Sequence, residues 1–442
     1  MKRIKFYIIA VLAAMLTSCS DTSYLNAIPQ ESTLLISMNT AKLSGAGSPV
    51  LLKSLLHMTT LDKTGLDLSS NIYFFEDAQG NFGLCARMDD KSKFGDVLSK
   101  SGLELTQRRG YDFTVLPNHW VIGYSDKAAL LMGPVVASGE SEMMARMATY
   151  LSSDEEDGIM GTPMYEKLDS IDSPMAMVCQ AQVLPEQFVA PFTLGAPKDA
   201  DASEVMLAAE MNVKDSVLWV KGQTFSFNKK VNDALVKAAK TYRSIKGNYA
   251  KSMSNTDAMG LFVNVDGKKF IELLRQNKGL KTMLSGINSA IDMDNIIKSF
   301  DGDMAVITPN KSNDNFQMKM AAKLKHANWL ADVDYWKQSV PAGGHIGDWG
   351  RDCYYYQSAK MAYYFGVTKD WQYMSGGSKE DALQSITASK NPINMALQNK
   401  IKGERMVMII NFAAFQGDKA QAITGLLQPM FGKLNAIVYT LK

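Results

Sequence analysis

The chain has 442 residues, of which 46% are apolar and 21% charged, with a formal net charge of +2. That length exceeds what one hydrophobic core ordinarily holds, so two or more domains are expected, and the near-neutral balance gives no overall field that would draw nucleic acid. Four cysteines, none in a C-x-x-C spacing, exclude a disulfide-rich scaffold and a thiolate metal centre.

The first nineteen residues read MKRIKFYIIAVLAAMLTSC. Lys2, Arg3 and Lys5 precede an unbroken apolar run of eleven residues, Phe6 to Leu16. Such a run is too short to span a bilayer core, which takes about 20 residues, but has the length of a secretory segment. No other stretch matches a transmembrane helix. Cys19 to Pro29 then reads as a tether of at most ~35 Å when extended.

The body shows a recurring shape. Residues 34–43, LLISMNTAKL, read as an apolar strand with Asn39 six positions in, leading to a helix near 49–58. Similar segments start at 175 (with Gln180), 261 (Asp266) and 406 (Asn411). An Asn or Asp at that point suits the N-cap of a following helix. The first and third copies lie 227 apart and the second and fourth 231 apart. NFGLCARM at 81–88 faces NFQMKMAA at 315–322, and WVIGYSDKAALLMG at 120–133 faces YYFGVTKDWQYMSG at 363–376. Four matches in one order at nearly one offset point to a tandem structural duplication.

Hairpins are expected around Gln79-Gly80, Pro117-Asn118 and Lys214-Asp215. Helical periodicity covers Lys91–Lys100, Met143–Leu151, a stretch with apolar positions 231, 235, 238 and 239, and, further on, 266–275, 287–299, 326–338 and 416–430. A strand closes the chain over Leu434–Leu441. Irregular alternation with many hairpins implies an α+β fold of two related halves, with largely antiparallel sheets and packed helices. The expected organisation is a signal segment 1–18, a tether 19–29, and halves at 30–250 and 251–442, divided near 245–256.

Catalytic motifs are sparse. No G-x-S-x-G occurs. Ser226-Phe-Asn-Lys229 and Lys63-Thr-Gly65 stand in the reverse order to penicillin-binding enzymes, and Ser226 sits where a helix cap is needed. The four histidines, His57, His119, His326 and His345, form no i, i+4 pair. His345 has Asp348, Asp352 and Cys353 nearby in a glycine-rich stretch that reads as a hydrogen-bonded turn. Asp292/Asp294 and Asp301/Asp303 lack the full calcium-loop pattern, and the acidic run 152–157 reads as a solvated loop. No metal and no cofactor are expected.

One stretch departs from this background. Trp329 to Tyr373 holds twelve aromatic residues in 45, against 9% overall. Exposed aromatic platforms stack on sugar rings or anchor protein partners, whereas cross-strand pairing on a half-buried sheet is the purely structural alternative. The ligand-binding candidates are Trp349, Tyr354, Tyr356, Tyr364 and Trp371. Strand alternation puts Tyr354 and Tyr356 on one face and Tyr355 on the other.

The tetrad Leu16-Thr17-Ser18-Cys19 resembles the lipobox of bacterial lipoproteins. With the short tether, Ile28-Pro29 and the LLISMN strand, the chain resembles an uncharacterised Bacteroidetes-type lipoprotein family carrying a large domain of unknown function. The resemblance implies acylation of Cys19, a membrane partner through the lipid, and a cell-envelope location at the outer membrane, on its periplasmic or its surface face. The expected function is a non-catalytic binding or structural role, with a glycan or an envelope protein as partner. The alternative is an envelope hydrolase with a site between the halves.

Overall fold

A computed structural model describes residues 21–40, 42, 64–117, 119–184, 186–310, 318–359, 361–414, 431 and 433–442. The expected signal segment with Cys19, and the helices expected at 49–58 and 416–430, lie outside the described residues. The chain divides into two compact units, Met1–Met175 and Ala176–Lys442.

In the first unit the chain is already folded at Ser23–Ala27, a 3-10 turn with Tyr24, Leu25, Ala27 and Ile28 buried. The Tyr24 hydroxyl donates to Asn71 O (2.8 Å), and Pro29 bridges to Gly158. Within the expected tether at 19–29, residues 24–28 thus belong to the folded body, because these apolar side chains gain more from burial than from serving as a leash.

The strands of the first unit are β1 (Leu34–Met38), β2 (Leu66–Asp67), β3 (Ile72–Glu76), β4 (Phe82–Met88), β5 (Thr106–Arg108), β6 (Tyr111–Val115), β7 (Val121–Tyr124) and β8 (Ala128–Gly133). They pair antiparallel in the order β1-β3-β4-β8-β7-β6-β5, with β2 beside the end of β4. β8, AALLMG, is buried at all six positions, as a strand covered on both faces must be. Helix α1 (Lys91–Lys100) starts where Asp90 accepts from Lys93 N–H (3.0 Å), and it buries Phe94 edge-on to Tyr124 at 5.0 Å. Helix α2 (Glu140–Ser152) buries Met143 and Met147, and α3 (Pro163–Asp169) is capped by Thr162 with Pro163 opening its first turn.

The second unit continues with β9 (Met175–Gln180), β10 (Met206–Lys214), β11 (Val217–Phe225), β12 (Asp257–Asp266), β13 (Phe300–Pro309), β14 (Lys319–Leu324), β15 (His345–Gly350), β16 (Cys353–Gln357), β17 (Ala362–Val367), β18 (Gln372–Gly376), β19 (Met406–Asn411) and β20 (Ala436–Leu441). The order is β9-β10-β11-β20-β19-β12-β13-β14-β18-β17-β16-β15, antiparallel throughout except for the parallel β11–β20 pair. The run β12-β13-β14-β18-β17-β16-β15 repeats, step for step, the strand order of the first unit.

Its helices are α4 (Glu186–Thr193), α5 (Lys229–Ala239), α6 (Gly267–Gln276), α7 (Lys278–Asn288), α8 (Met293–Lys298), α9 (Val333–Ser339), α10 (Lys379–Ile386) and α11 (Met395–Ile401). The expected single helix at 287–299 is broken at 289–292, where Asp292 caps a new turn. That expected at 326–338 is a 3-10 turn, Asn328–Asp332, running into α9. Of the four strand-end polar residues, Asp266 caps α6 and Asn39 accepts from Lys42 N–H (3.0 Å). Asn411 instead donates to Asp257 O (3.2 Å), and Gln180 pairs with Gln182.

The compact units divide at Met175/Ala176, whereas 245–256 lies inside the second. Ile245, Tyr249, Ala250 and Met253 are buried against Phe262, Ile307, Val407 and Ile409. A polar-looking stretch, IKGNYAKSMSNT, thus spends its apolar residues as a cover for the sheet. The α+β class with largely antiparallel pairing holds for both units.

Candidate functional site

The aromatic-rich stretch forms the hairpins β15–β16 and β17–β18. Register aligns Ile346↔Tyr356↔Tyr363 and Asp348↔Tyr354↔Phe365↔Ser375 across the strands. These residues share one face, and α9 with its preceding turn packs beneath it. Trp329 and Trp336 stack there at 6.0 Å and 12°, each within 6.5 Å of Phe365, which is 0% exposed. The hydroxyls of Tyr363 and Tyr373 bond at 2.6 Å, and burial raises both phenols. Lys337 Nζ bonds both Asp348 oxygens (2.9 Å) and lies 5.3 Å from the Tyr354 ring. Burial, then nearby Asp352, raises the Tyr354 phenol, with Lys337 opposing. This face is an aromatic core with a charged margin.

The opposite face carries a second row. Tyr355 and Tyr364 are direct cross-strand partners, with rings 5.5 Å apart and 26° from parallel. Tyr355 leans over Gly347, where a Cβ would lie 2.5 Å from the ring, so only glycine fits. His345 meets Tyr355 at 5.8 Å. Trp349 occupies the bulge between Asp348 and Gly350, its indole N–H donating to Tyr354 O (2.8 Å) and its ring 6.4 Å from Tyr364. Lys379, the first residue of α10, places Nζ 5.4 Å from the Trp349 ring centroid. Tyr355, Tyr364 and Trp349 are half-buried and His345 and Lys379 exposed, so the row is left partly open to solvent.

The five expected binding residues therefore do not converge. Tyr354 and Tyr356 belong to the core-side face, Trp349 and Tyr364 to the outer row, and Trp371 to the β17–β18 turn. None of Trp349, Tyr354 and Tyr356 is fully buried. Trp371 is 46% exposed and adopts φ 60°, a conformation rare for a bulky residue. His345, Tyr355 and Lys379 were missed as a group. Alternation separates Tyr355 from Tyr354 and places His345 and Trp349 on the Tyr355 side, but the pairing that brings Tyr364 beside Tyr355 and the helix start that brings Lys379 over Trp349 leave no mark in the residue pattern.

The other candidates have structural duties. Ser226 Oγ accepts from Asn228 N–H (3.1 Å), and Asn228 caps α5. His345, Asp348 and Cys353 separate, since Asp348 faces Lys337 while Cys353 is buried on the other side, its thiol raised by burial and by Asp352. Among the described residues, no three His, Cys, Asp or Glu side chains converge as a metal site. Of the four carboxylates buried among the described residues, Asp381 accepts from the Ser378 hydroxyl (2.9 Å), and the other three are likewise committed. Asp77 accepts from Gln79 and Asn81 N–H and from Tyr150 (3.1 Å). Asp257 holds Lys319 (3.1 Å). Asp303 accepts from Lys246 N–H, Asn248 N–H and Asn264 Nδ2, all within 3.1 Å.

A family model described as a domain of unknown function (DUF4836) matches residues 24–415. No curated protein matches the chain. Three solved structures of TP0453 resemble it distantly. Crystal form IV shares 13% identity over 43% of this chain and 76% of that one (TM-score 0.27). Form I shares 11% over 48% and 82% (TM-score 0.28), and form III 9% over 84% and 98% (TM-score 0.24).

Proposed function

The chain belongs to the DUF4836 family, and from that premise we propose that it is a lipid-anchored, non-catalytic binding protein of the cell envelope, of the Bacteroidetes lipoprotein type. Acylation of Cys19 fastens it to a membrane, and Ser20, the residue directly after it, points to the outer membrane by analogy with lipoprotein sorting. The body is a tandem duplication with halves at 30–250 and 251–442, and its ligand-facing surface is the outer aromatic row. The repeated seven-strand order supports the duplication. So do the matched glycines: Gly123 and Gly366 both lie on the strand before a polar turn, and Gly133 and Gly376 both end the next strand.

The observation that carries the binding reading is the row His345–Tyr355–Tyr364–Trp349–Lys379, held rigid by its own ring contacts and left half open to solvent. Preorganised aromatic edges with hydroxyls and one cation suit a polar ligand that offers both hydroxyl groups and apolar patches, such as a glycan or an envelope protein. The commitment of Asp77, Asp257 and Asp303 to internal donors favours binding over hydrolysis.

Intact-mass spectrometry of the protein purified from its native envelope tests the anchor. The expected mass is that of a chain beginning at Cys19 with lipid attached, and Cys19→Ala should move the protein from the membrane to the soluble fraction. An unmodified Cys19 would overturn the reading.

A further inference from the structure

The strand ends of the second unit gather charge far beyond what the chain average implies. The end of β12 lies beside the start of β13 (Asp266↔Asp301), the end of β14 beside the starts of β13 and β18 (Leu324↔Phe300, Lys323↔Gln372), and the start of β19 beside β12 (Met406↔Val263). Segment 240–247 is stitched to the same end by Arg243 N–H to Asn264 O (2.8 Å), Ile245 N–H to Glu404 O (2.8 Å) and Gly403 N–H to Ile245 O (2.9 Å). Residues 240–247, 266–269, 298–303, 323–326, 368–372 and 400–405 therefore border one end of one sheet.

These segments hold twelve lysines and arginines against five carboxylates, a surplus of seven in a protein whose whole net charge is +2. Several carboxylates are already occupied: Asp303 is buried among amides, Asp301 pairs with Arg243 (2.8 Å), and Glu404 pairs with Lys400 (3.5 Å). Lys240, Lys246, Lys268, Lys269, Lys325, Lys369 and Lys402 are all exposed, and none of the seven is ion-paired among the described residues. In their midst stands Trp371, 46% exposed, its carbonyl accepting from Leu324 N–H (2.9 Å) so that the turn carrying it is pinned to β14.

We propose that this end of the second unit is a membrane-contact surface, with the lysines meeting anionic lipid headgroups and Trp371 entering the interface. Unpaired lysines keep their full attraction for a negatively charged plane, and an indole with one apolar body and one N–H belongs at the boundary between headgroup and chain. The corresponding end of the first unit (39–40, 42, 66–71, 87–91, 125–127 and 170–174) holds four cations and five carboxylates, and its equivalent turn is Ser125-Asp126-Lys127, without an aromatic. The surplus thus belongs to this end rather than to the strand arrangement.

The surface rests on the anchored reading for its membrane, so the test uses the mature chain carrying Cys19→Ala, in which the body's own contact is read separately from acylation. Co-sedimentation would compare vesicles of phosphatidylglycerol and phosphatidylcholine, three parts to seven, with pure phosphatidylcholine. Binding to the anionic vesicles should be at least tenfold tighter and should fade as salt shortens the screening length from about 10 Å to about 3 Å. Each basic residue near such a surface contributes roughly fivefold, so reversing Lys240, Lys246, Lys369 and Lys402 to Glu should weaken binding by more than a hundredfold. Trp371→Ala should cost about tenfold while leaving the salt dependence in place. These side chains are exposed, and an unchanged thermal melt would show that each variant folds. Equal binding to both vesicle types, binding unaffected by the four reversals, or retention on a soluble polyanion without vesicle binding would each overturn the proposal.

Discussion

The two seven-stranded runs place different chemistry on the same rungs. In the first unit Phe113 pairs with Gly123 and Val115 with Val121; in the second Cys353 pairs with Gly366 and Tyr355 with Tyr364. Both glycines lie under the partner side chain, with a Cβ falling 2.4 Å from the Phe113 ring or 2.7 Å from Cys353 Sγ. One rung further, the first unit buries valine at 121 while the second leaves two stacked tyrosines half open. The helix after the last strand differs as well. α2 has thirteen residues, and its Met147 reaches the Gly123 site; α10 has eight and begins with Lys379 over Trp349. A shared strand order therefore fixes where a side chain stands, and the covering helix decides whether that position is core or surface.

The comparison can be broken most severely at the buried carboxylates. Asp303→Ala strands two backbone N–H groups and the Asn264 amide and should cost about 4 kcal/mol. Asp77→Ala in the first unit, where the β3–β4 turn can recruit water, should cost about 2 kcal/mol. Chemical denaturation of the two variants would show it, and equal losses would count against this ranking. A smaller effect is expected from exchanging the rung residues. Val121→Tyr forces a phenol into a filled layer and should cost about 3 kcal/mol, whereas Tyr364→Val removes a half-solvated ring and should cost about 1 kcal/mol. Thermal melts of both variants would reverse the account if Tyr364→Val proved the more damaging.

Much of the fold was legible from local chemistry. Gly80, the Pro117 turn and Lys214-Asp215 announced their hairpins, and the helical periodicity of Lys91–Lys100 announced α1. Long-range facts were not. The sequence around 245–256 looks like a linker because its apolar residues are spaced for covering a sheet rather than for a helix or strand. Tyr24 to Ile28 reads as a leash until its pocket beside Asn71 is known. At the candidate site the aromatic density and the alternation of faces were visible, but which residues meet in the outer row depends on the β15–β16–β17 register and on the placement of Lys379 at the start of α10. The basic strand end was hidden because its six segments are scattered over more than 160 residues and cancel against acidic stretches elsewhere.

The claim that the second unit carries the ligand-facing surface is tested most directly by site-specific photo-crosslinking in the native envelope. A photoreactive residue at Tyr364 is compared with one at the exposed Gln107 on β5 of the first unit. The account predicts a discrete adduct from position 364 and none from position 107. Indistinguishable patterns from the two positions, or an adduct only from position 107, would contradict it.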